Sequence, residues 1–257
     1  MAGIRSRLDA GEVSLGSWLS FGSTQVAELV AQQGFEWLVV DAEHSSITFD
    51  QQASLIQTVE LCGLGALVRV GHNDPLLIKR ALDSGAHGII APMVNSADEA
   101  RAAVSAAHYP PRGVRGVGLA RAQRYGLGFD EYRALAEETF VVVQIEHIRG
   151  VENLEEILAV DGVDAFIVGP YDLSGSLGHP GNWSAPSVVE ALEEVSRIVK
   201  LGTRPAGFHV VHSGDAELER RISEGYRFIA YGGDMIFLAE KMRDEISRAT
   251  SVMDEEA

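Results

Sequence analysis

The fold is decided by two stretches, Phe140-Val-Val-Val-Gln-Ile-Glu146 and Ala165-Phe-Ile-Val-Gly-Pro-Tyr-Asp172, each an apolar run that ends in a carboxylate. Apolar runs of this length, rich in valine and isoleucine and separated by a helical stretch, indicate buried parallel strands joined by a right-handed crossover. Glu146 and Asp172 then lie at neighbouring C-terminal strand ends, where parallel α/β folds bind ligands. Two carboxylates at that edge predict a site for a divalent cation.

The same alternation of strand-like and helix-like segments runs through the whole chain. Eight strands are predicted, over residues 15–20, 37–41, 66–70, 88–92, 140–145, 165–169, 206–210 and 227–231. Eight parallel strands close a (β/α)8 TIM barrel, so we predict one such α/β domain over residues 1–257. Helix signals agree, for example the capping box Ser96-Ala-Asp-Glu99. The Gly- and Arg-rich stretch 108–129 is too irregular for a simple connection, and the acidic tail 251–257 is predicted to be frayed.

Composition and charge restrict the partners. The chain has 257 residues, 46% hydrophobic and 23% charged, which is enough to bury a large core. It has no apolar signal segment and no run of the roughly 18 residues that span a bilayer, so we expect a cytoplasmic protein without membrane contact. A net charge of −16 works against nucleic acid as a partner. This acidity is compatible with a salt-rich source, and equally with an arginine-rich coding bias.

Reactive side chains recur at the predicted C-terminal strand ends. They are Trp18, Asp41, Glu43, His44, Arg69, Gln144, Glu146 and Asp172. Taken singly, Glu146 could be a structural ion-pair partner and Asp172 a helix N-cap. Together, however, two neighbouring carboxylates in a cleft repel each other unless they share a cation or a proton, which favours a metal site.

Arg69 and His44 complete the candidate site. Arg69 ends an otherwise apolar strand, where it could pair with Asp41 or Glu43 or hold a substrate carboxylate, and we favour the substrate. His44 follows two acidic residues and is our candidate for the proton-transferring group, with His209 and His212 as its rivals. Trp18 could plug the core and also line the pocket.

The lysines argue against a Schiff-base aldolase, which needs a desolvated lysine at the barrel mouth. The chain has three lysines, Lys79, Lys200 and Lys241, and all lie in helical patterns. Carbanion chemistry in this barrel would therefore depend on a metal.

These motifs carry a family resemblance. In order along the chain they are Trp37-Leu-Val-Val-Asp-Ala-Glu-His44, Val68-Arg-Val70, Ile78-Lys-Arg-Ala-Leu-Asp-Ser-Gly-Ala86, Pro92-Met-Val-Asn95, Tyr109-Pro-Pro-Arg-Gly-Val-Arg-Gly116, Gln144-Ile-Glu146 and Gly169-Pro-Tyr-Asp-Leu-Ser174. From about residue 12 to residue 240 the chain resembles the HpcH/HpaI aldolase family. These enzymes are metal-dependent class II pyruvate aldolases, such as 4-hydroxy-2-oxoheptanedioate aldolase and 2-dehydro-3-deoxyglucarate aldolase.

The resemblance implies a barrel of the phosphoenolpyruvate/pyruvate-binding type and a set of roles. Glu146 and Asp172 would bind Mg²⁺, Mn²⁺ or Co²⁺, Arg69 would hold the pyruvate carboxylate, and His44 would act as acid and base. Asp83 would assist His44 from a neighbouring subunit, within a homohexamer that exchanges C-terminal helices of about residues 233–250. The implied substrate-binding residues are Trp18, Arg69, Gln144, Tyr171, Asp172 and Leu173.

The predicted function is reversible cleavage of a 4-hydroxy-2-oxo acid to pyruvate and an aldehyde through a metal-stabilised enolate, with a role in aromatic compound catabolism. Two departures leave the aldehyde open: Tyr171 replaces a common alanine, and Ser45-Ser-Ile47 replaces Ala-Pro-Asn. The alternatives are macrophomate-synthase-like decarboxylation, citrate-lyase-like cleavage of a CoA ester, and a catalytically silent metal-binding barrel.

Overall fold

Eight parallel strands form a closed barrel in the order in which they occur along the chain. The structure is a computed structural model that describes residues 2–212 and 215–255. The strands are β1 (Ser14–Leu19), β2 (Trp37–Asp41), β3 (Gly65–Arg69), β4 (Gly88–Ala91), β5 (Phe140–Ile145), β6 (Ala165–Val168), β7 (Ala206–Val210) and β8 (Phe228–Tyr231). The pairing of β8 with β1 closes the ring. The predicted (β/α)8 barrel is confirmed, and no predicted strand end differs from the observed end by more than one residue.

Helices connect the strands and surround the barrel. They are α1 (Ala2–Asp9), α2 (Thr24–Ala31), α3 (Phe49–Leu61), α4 (Pro75–Asp83), α5 (Ala97–Ala107), α6 (Phe129–Ala136), α7 (Ile148–Glu152), α8 (Leu154–Leu158), α9 (Pro170–Ser176), α10 (Pro186–Leu201), α11 (Asp215–Glu224) and α12 (Asp234–Glu255). Ser96 caps α5 as predicted, accepting a hydrogen bond from the Glu99 N–H. The Glu99 carboxylate accepts from the N–H of Asn95, one residue before the predicted partner.

Aromatic side chains fill the interior of the barrel. Trp37, Phe140 and Phe228 are fully buried, and the Trp37 and Phe228 rings stack with centroids 4.2 Å apart. Gly16 lies opposite Trp37 in the register of β1 and β2. A Cβ at Gly16 would lie 2.0 Å from the indole, so the missing side chain is what makes room for the ring. Ile4 of α1 joins this interior cluster.

The predicted irregular stretch 108–129 contains a 3₁₀ segment, Arg121–Gly126, in which Arg124 and Tyr125 have positive φ. Arg115 in this stretch is buried and donates a hydrogen bond to Asp83 at 2.7 Å. The stretch therefore packs against the end of α4.

The last helix, α12, extends to Glu255, so residues 251–255 of the predicted acidic tail are helical. No glycine or proline between Asp234 and Glu255 ends the helix. Residues 256 and 257 lie outside the described residues. Every side chain from Lys241 to Asp254 is exposed, so this part of α12 projects beyond the barrel. Within the described ranges, none of the helices has both the length and the apolar character needed to cross a membrane.

Replacing Gly16 by alanine should destabilise the fold, because the new methyl group would collide with the buried Trp37 ring. Overpacking of this kind costs about 1–3 kcal/mol of unfolding free energy, measurable by urea denaturation followed by circular dichroism. The matched control is Gly3→Ala in α1, where a new Cβ meets nothing within 4 Å. Equal unfolding free energies for the two variants would contradict this account of the barrel interior.

Candidate functional site

A cavity of about 250 Å³ opens at the C-terminal end of the barrel. It brings together six of the predicted site residues: Trp18, His44, Arg69, Gln144, Tyr171 and Asp172. Ile167, Val168, Gly169, Pro170, His209 and Val211 complete the lining. The strand ends carry these side chains to one place because closure of the barrel directs all eight C-terminal ends to the same rim.

Arg69 is held by two carboxylates. Its Nε and Nη2 atoms donate hydrogen bonds to the two oxygens of Asp41, at 3.0 and 2.6 Å, and Glu43 lies 3.3 Å from Nε. Burial alone would raise the pKa of Asp41, but the hydrogen bonds and charge of Arg69 outweigh it and hold that pKa below its usual value. The ion pair with Asp41, one of the alternatives for Arg69, is thus formed. No hydrogen bond of Nη1 is found among the described residues.

An aromatic layer lies beneath this ion pair. The Arg69 guanidinium carbon lies 4.5 Å from the centre of the Trp18 ring, and Trp18 packs in turn against His209 with centroids 5.3 Å apart. Trp18 is buried and belongs to the interior cluster, so it plugs the core and lines the cavity at once, as predicted. Packing on this ring restricts the orientations that the guanidinium can adopt.

Glu146 is almost completely buried, with 2% of its surface exposed. Its Oε1 accepts a hydrogen bond from the Met93 N–H at 2.7 Å, and its Oε2 accepts from Gln144. Gly169 makes this arrangement possible, because a Cβ there would lie 2.8 Å from Oε2. Gln144 is oriented by its bond to Glu146, and its Oε1 is buried without a hydrogen-bond partner in the described part of the chain.

Negative charge accumulates on this side of the cavity. Burial raises the pKa of Glu146 to about 7; the two hydrogen bonds oppose this shift, whereas the charges of Glu43 and Asp172 add to it. Burial also raises the pKa of Glu43, and Asp172 contributes there as well. Among the described residues, no cluster of three or more His, Cys, Asp or Glu side chains forms a metal site.

Asp172 is exposed in the first turn of α9, whose N-cap is Gly169, so its alternative role as an N-cap does not apply. His44 is exposed at the cavity mouth, on a turn in which Asp41 accepts hydrogen bonds from the N–H groups of Glu43 and His44.

The two rival histidines lie in different surroundings. His209 donates from Nε2 to the Gly232 carbonyl, 2.8 Å away, if that nitrogen carries the proton. Burial, reinforced by the charge of Arg69, lowers the pKa of His209 to about 4. His209 is therefore neutral near pH 7. His212 is exposed and lies 3.2 Å from the Glu240 carboxylate, and it does not line the cavity.

Two predicted site residues lie elsewhere. Leu173 is fully buried in the core, because one further step around α9 turns its side chain away from the cavity that Tyr171 and Asp172 line. The Leu173 side chain therefore does not line the cavity. α4 follows the C-terminal end of β3 and runs back toward the start of β4, and Asp83 is its last residue. Asp83 therefore lies at the opposite end of the barrel from His44 of the same chain.

Sequence analysis did not predict the roles of Met93 and Gly169. Met93 has a φ of 53°, unusual for a residue with a side chain, and this turn directs its N–H to Glu146. Nothing in the local sequence predicts a positive φ at a methionine. Gly169 was in principle detectable, since Gly-Pro directly after a buried strand indicates a close backbone approach.

Comparison with known proteins agrees with this geometry. The profile of the HpcH/HpaI aldolase/citrate lyase family matches residues 14–240. The chain belongs to this family. In a crystal structure of a family member from Burkholderia cenocepacia J2315, the fold superposes with a TM-score of 0.90 at 34% identity, covering 97% of this chain and 100% of that one.

Two of the related sequences have named activities. A hydroxypyruvate/pyruvate aldolase from Pseudomonas aeruginosa is 37% identical over 95% of this chain and 91% of its own length. A 4-hydroxy-2-oxo-heptane-1,7-dioate aldolase from Klebsiella pneumoniae is 38% identical over 91% of this chain and 89% of its own. The chain therefore fits a class II pyruvate aldolase, a carbon–carbon lyase, as the sequence resemblance implies.

His209 should make the fold sensitive to acid. Its pKa is about 4 in the folded protein and about 6.5 in the unfolded chain, so only the unfolded chain takes up the proton between these values. Stability should then fall as the pH decreases from 6.5 to 4, by up to about 3 kcal/mol. His209→Gln keeps a donor for Gly232 but does not titrate. Urea unfolding at several pH values should show a smaller acid loss in this variant, and identical losses would contradict the assignment.

Proposed function

We propose that this protein is a metal-dependent aldolase that reversibly cleaves a 4-hydroxy-2-oxo acid to pyruvate and an aldehyde. The supporting observation is a cavity lined by His44, Arg69 and Asp172, with the buried Glu146 carboxylate hydrogen-bonded to Gln144 of the same lining. This set offers hard oxygen ligands, a fixed guanidinium and an imidazole within one small volume. Such groups suit the binding of a 2-oxo acid and the transfer of a proton.

The residues of the cavity fit a divalent cation. Glu146 is buried beside other carboxylates, and Gln144 has a buried oxygen without a partner among the described residues. Glu146 and Asp172 would hold Mg²⁺, Mn²⁺ or Co²⁺, leaving the other coordination positions to substrate and water. A bound cation supplies Lewis-acid stabilisation of the negative charge that develops on the keto oxygen.

Arg69 would bind the substrate carboxylate. Asp41 engages Nε and Nη2, so the Nη1 edge remains for the substrate, and the ion pair with packing on Trp18 keeps the guanidinium in place. A donor that is oriented before binding loses less entropy when the ligand arrives. In this proposal the ion pair and the substrate are joint partners of Arg69, not alternatives.

His44 would remove the proton of the 4-hydroxyl group during cleavage and return it during condensation. Its exposure at the cavity mouth supports this role, because an incoming aldehyde must pass it. The lowered pKa of His209 makes that residue a poorer candidate. Asp83 could assist His44 only from a neighbouring subunit, since it lies at the far end of its own barrel.

The C-terminal helix supports the proposal of a hexamer with exchanged helices. The exposed part of α12 carries an apolar stripe at helical spacing, formed by Leu238, Met242, Ile246 and Met253. A projecting helix with such a stripe gains most of its stability by packing against another surface. A second copy of the chain could provide that surface and bring its Asp83 near His44.

Glu146→Gln and Asp172→Asn should each abolish metal-dependent enolisation of pyruvate. Both changes keep side-chain size but remove a charged ligand, and we expect a loss of about 100-fold or more. The measurement is exchange of the pyruvate methyl protons in heavy water, after stripping with EDTA and refilling with Mn²⁺ or Mg²⁺. Glu156→Gln, an exposed change on α8, is the matched control. Metal-independent exchange, or none in the parent protein with any metal, would contradict the proposal.

Met242→Glu together with Ile246→Glu should dissociate the assembly, because two charges would enter the apolar stripe. Light scattering coupled to gel filtration should give about six times the 27.7 kDa chain mass for the parent protein and a smaller mass for the variant. Ser247→Glu adds charge to the same helix outside the stripe and should leave the mass unchanged. A monomeric parent protein would contradict the proposal.

A further inference from the structure

An aromatic pair borders the cavity beside Asp172. Tyr171 lines the cavity and is 49% exposed, and its ring meets Trp183 edge to face, with centroids 5.4 Å apart. Trp183 lies between α9 and α10 and is half-buried. The Tyr171 ring is therefore supported from behind at the entrance to the cavity.

The size of the cavity limits what can bind with pyruvate. Its 250 Å³ lies below the roughly 300–1,000 Å³ that is usual for pockets holding drug-sized ligands. Pyruvate and the acceptor must share this volume. Little room remains for a long aldehyde chain unless Tyr171 moves.

The charge of the cavity limits the acceptor further. Among the described lining residues, Arg69 is the side chain with a permanent positive charge, and Asp41 and Glu43 already pair with it. Asp172 adds a further carboxylate to the lining. An acceptor carrying its own carboxylate would find no second guanidinium or ammonium group in this lining and would be repelled by the others.

We propose that the aldehyde acceptor is short and uncharged, and that Tyr171, supported by Trp183, limits its length. The inference rests on the proposed function. In condensation, the methyl carbon of pyruvate loses one proton and bonds to the aldehyde carbon, while the aldehyde oxygen gains one proton. No oxidant or reductant is needed.

The test compares kcat/KM for condensation of pyruvate with propanal, hexanal and succinic semialdehyde. The parent protein should prefer propanal by about tenfold or more over hexanal, which is too long, and over succinic semialdehyde, which carries a carboxylate. Tyr171→Ala should reduce the propanal-to-hexanal preference about tenfold, and Trp183→Leu should change it in the same direction. Ratios are compared within each variant, so a general loss of activity cancels. Leu201→Ala, an exposed change at the C-terminal end of α10, should leave both ratios unchanged.

Proton exchange of pyruvate without any aldehyde separates the possible failures. No exchange in the parent protein would overturn the proposed function itself. Exchange together with equal use of propanal and hexanal, or with a preference that Tyr171→Ala does not alter, would overturn only the limit on length. Efficient use of succinic semialdehyde would overturn the limit on charge. If Tyr171→Ala fails to fold, Trp183→Leu decides the role of the aromatic pair.

Discussion

Closure of the barrel is the constraint on which the rest of the structure depends. A ring of eight parallel strands directs every C-terminal strand end to one rim, so residues far apart in sequence, such as Arg69 and Asp172, share one cavity. Closure in turn requires an interior that is filled without collision. The absence of a side chain at Gly16 admits the Trp37 ring, which stacks on Phe228 and joins the first, second and last strands.

The site depends on backbone geometry as much as on its reactive side chains. Glu146 can remain buried because Gly169 leaves space beside it and because the N–H of Met93 is directed at its carboxylate. Met93 reaches this position with a positive φ, which costs of order 1 kcal/mol for a residue with a side chain. The rest of the rim must hold that turn in place.

The fold and the location of the site could be predicted from the sequence because both follow from periodicity. Buried strands identify themselves as apolar runs, and their ends identify the rim, which is why six predicted side chains line one cavity. Three features could not be predicted. The sequence offers Arg69 several partners and does not show that it pairs with Asp41. Leu173 is buried although it is only one helical step from Asp172. The positive φ of Met93 has no local sequence signature.

The charge balance of the rim bears on the proposed chemistry. One guanidinium, Arg69, pairs with Asp41 and Glu43, and burial raises the pKa values of Glu43 and Glu146, to which the charge of Asp172 adds. An anionic 2-oxo acid would approach such a rim against both the local charge and the net charge of −16. A divalent cation held by Glu146 and Asp172 would remove most of the local excess. Under the proposed function, metal and substrate should therefore bind cooperatively, because the cation reduces the repulsion between the carboxylates of the rim and the carboxylate of the 2-oxo acid.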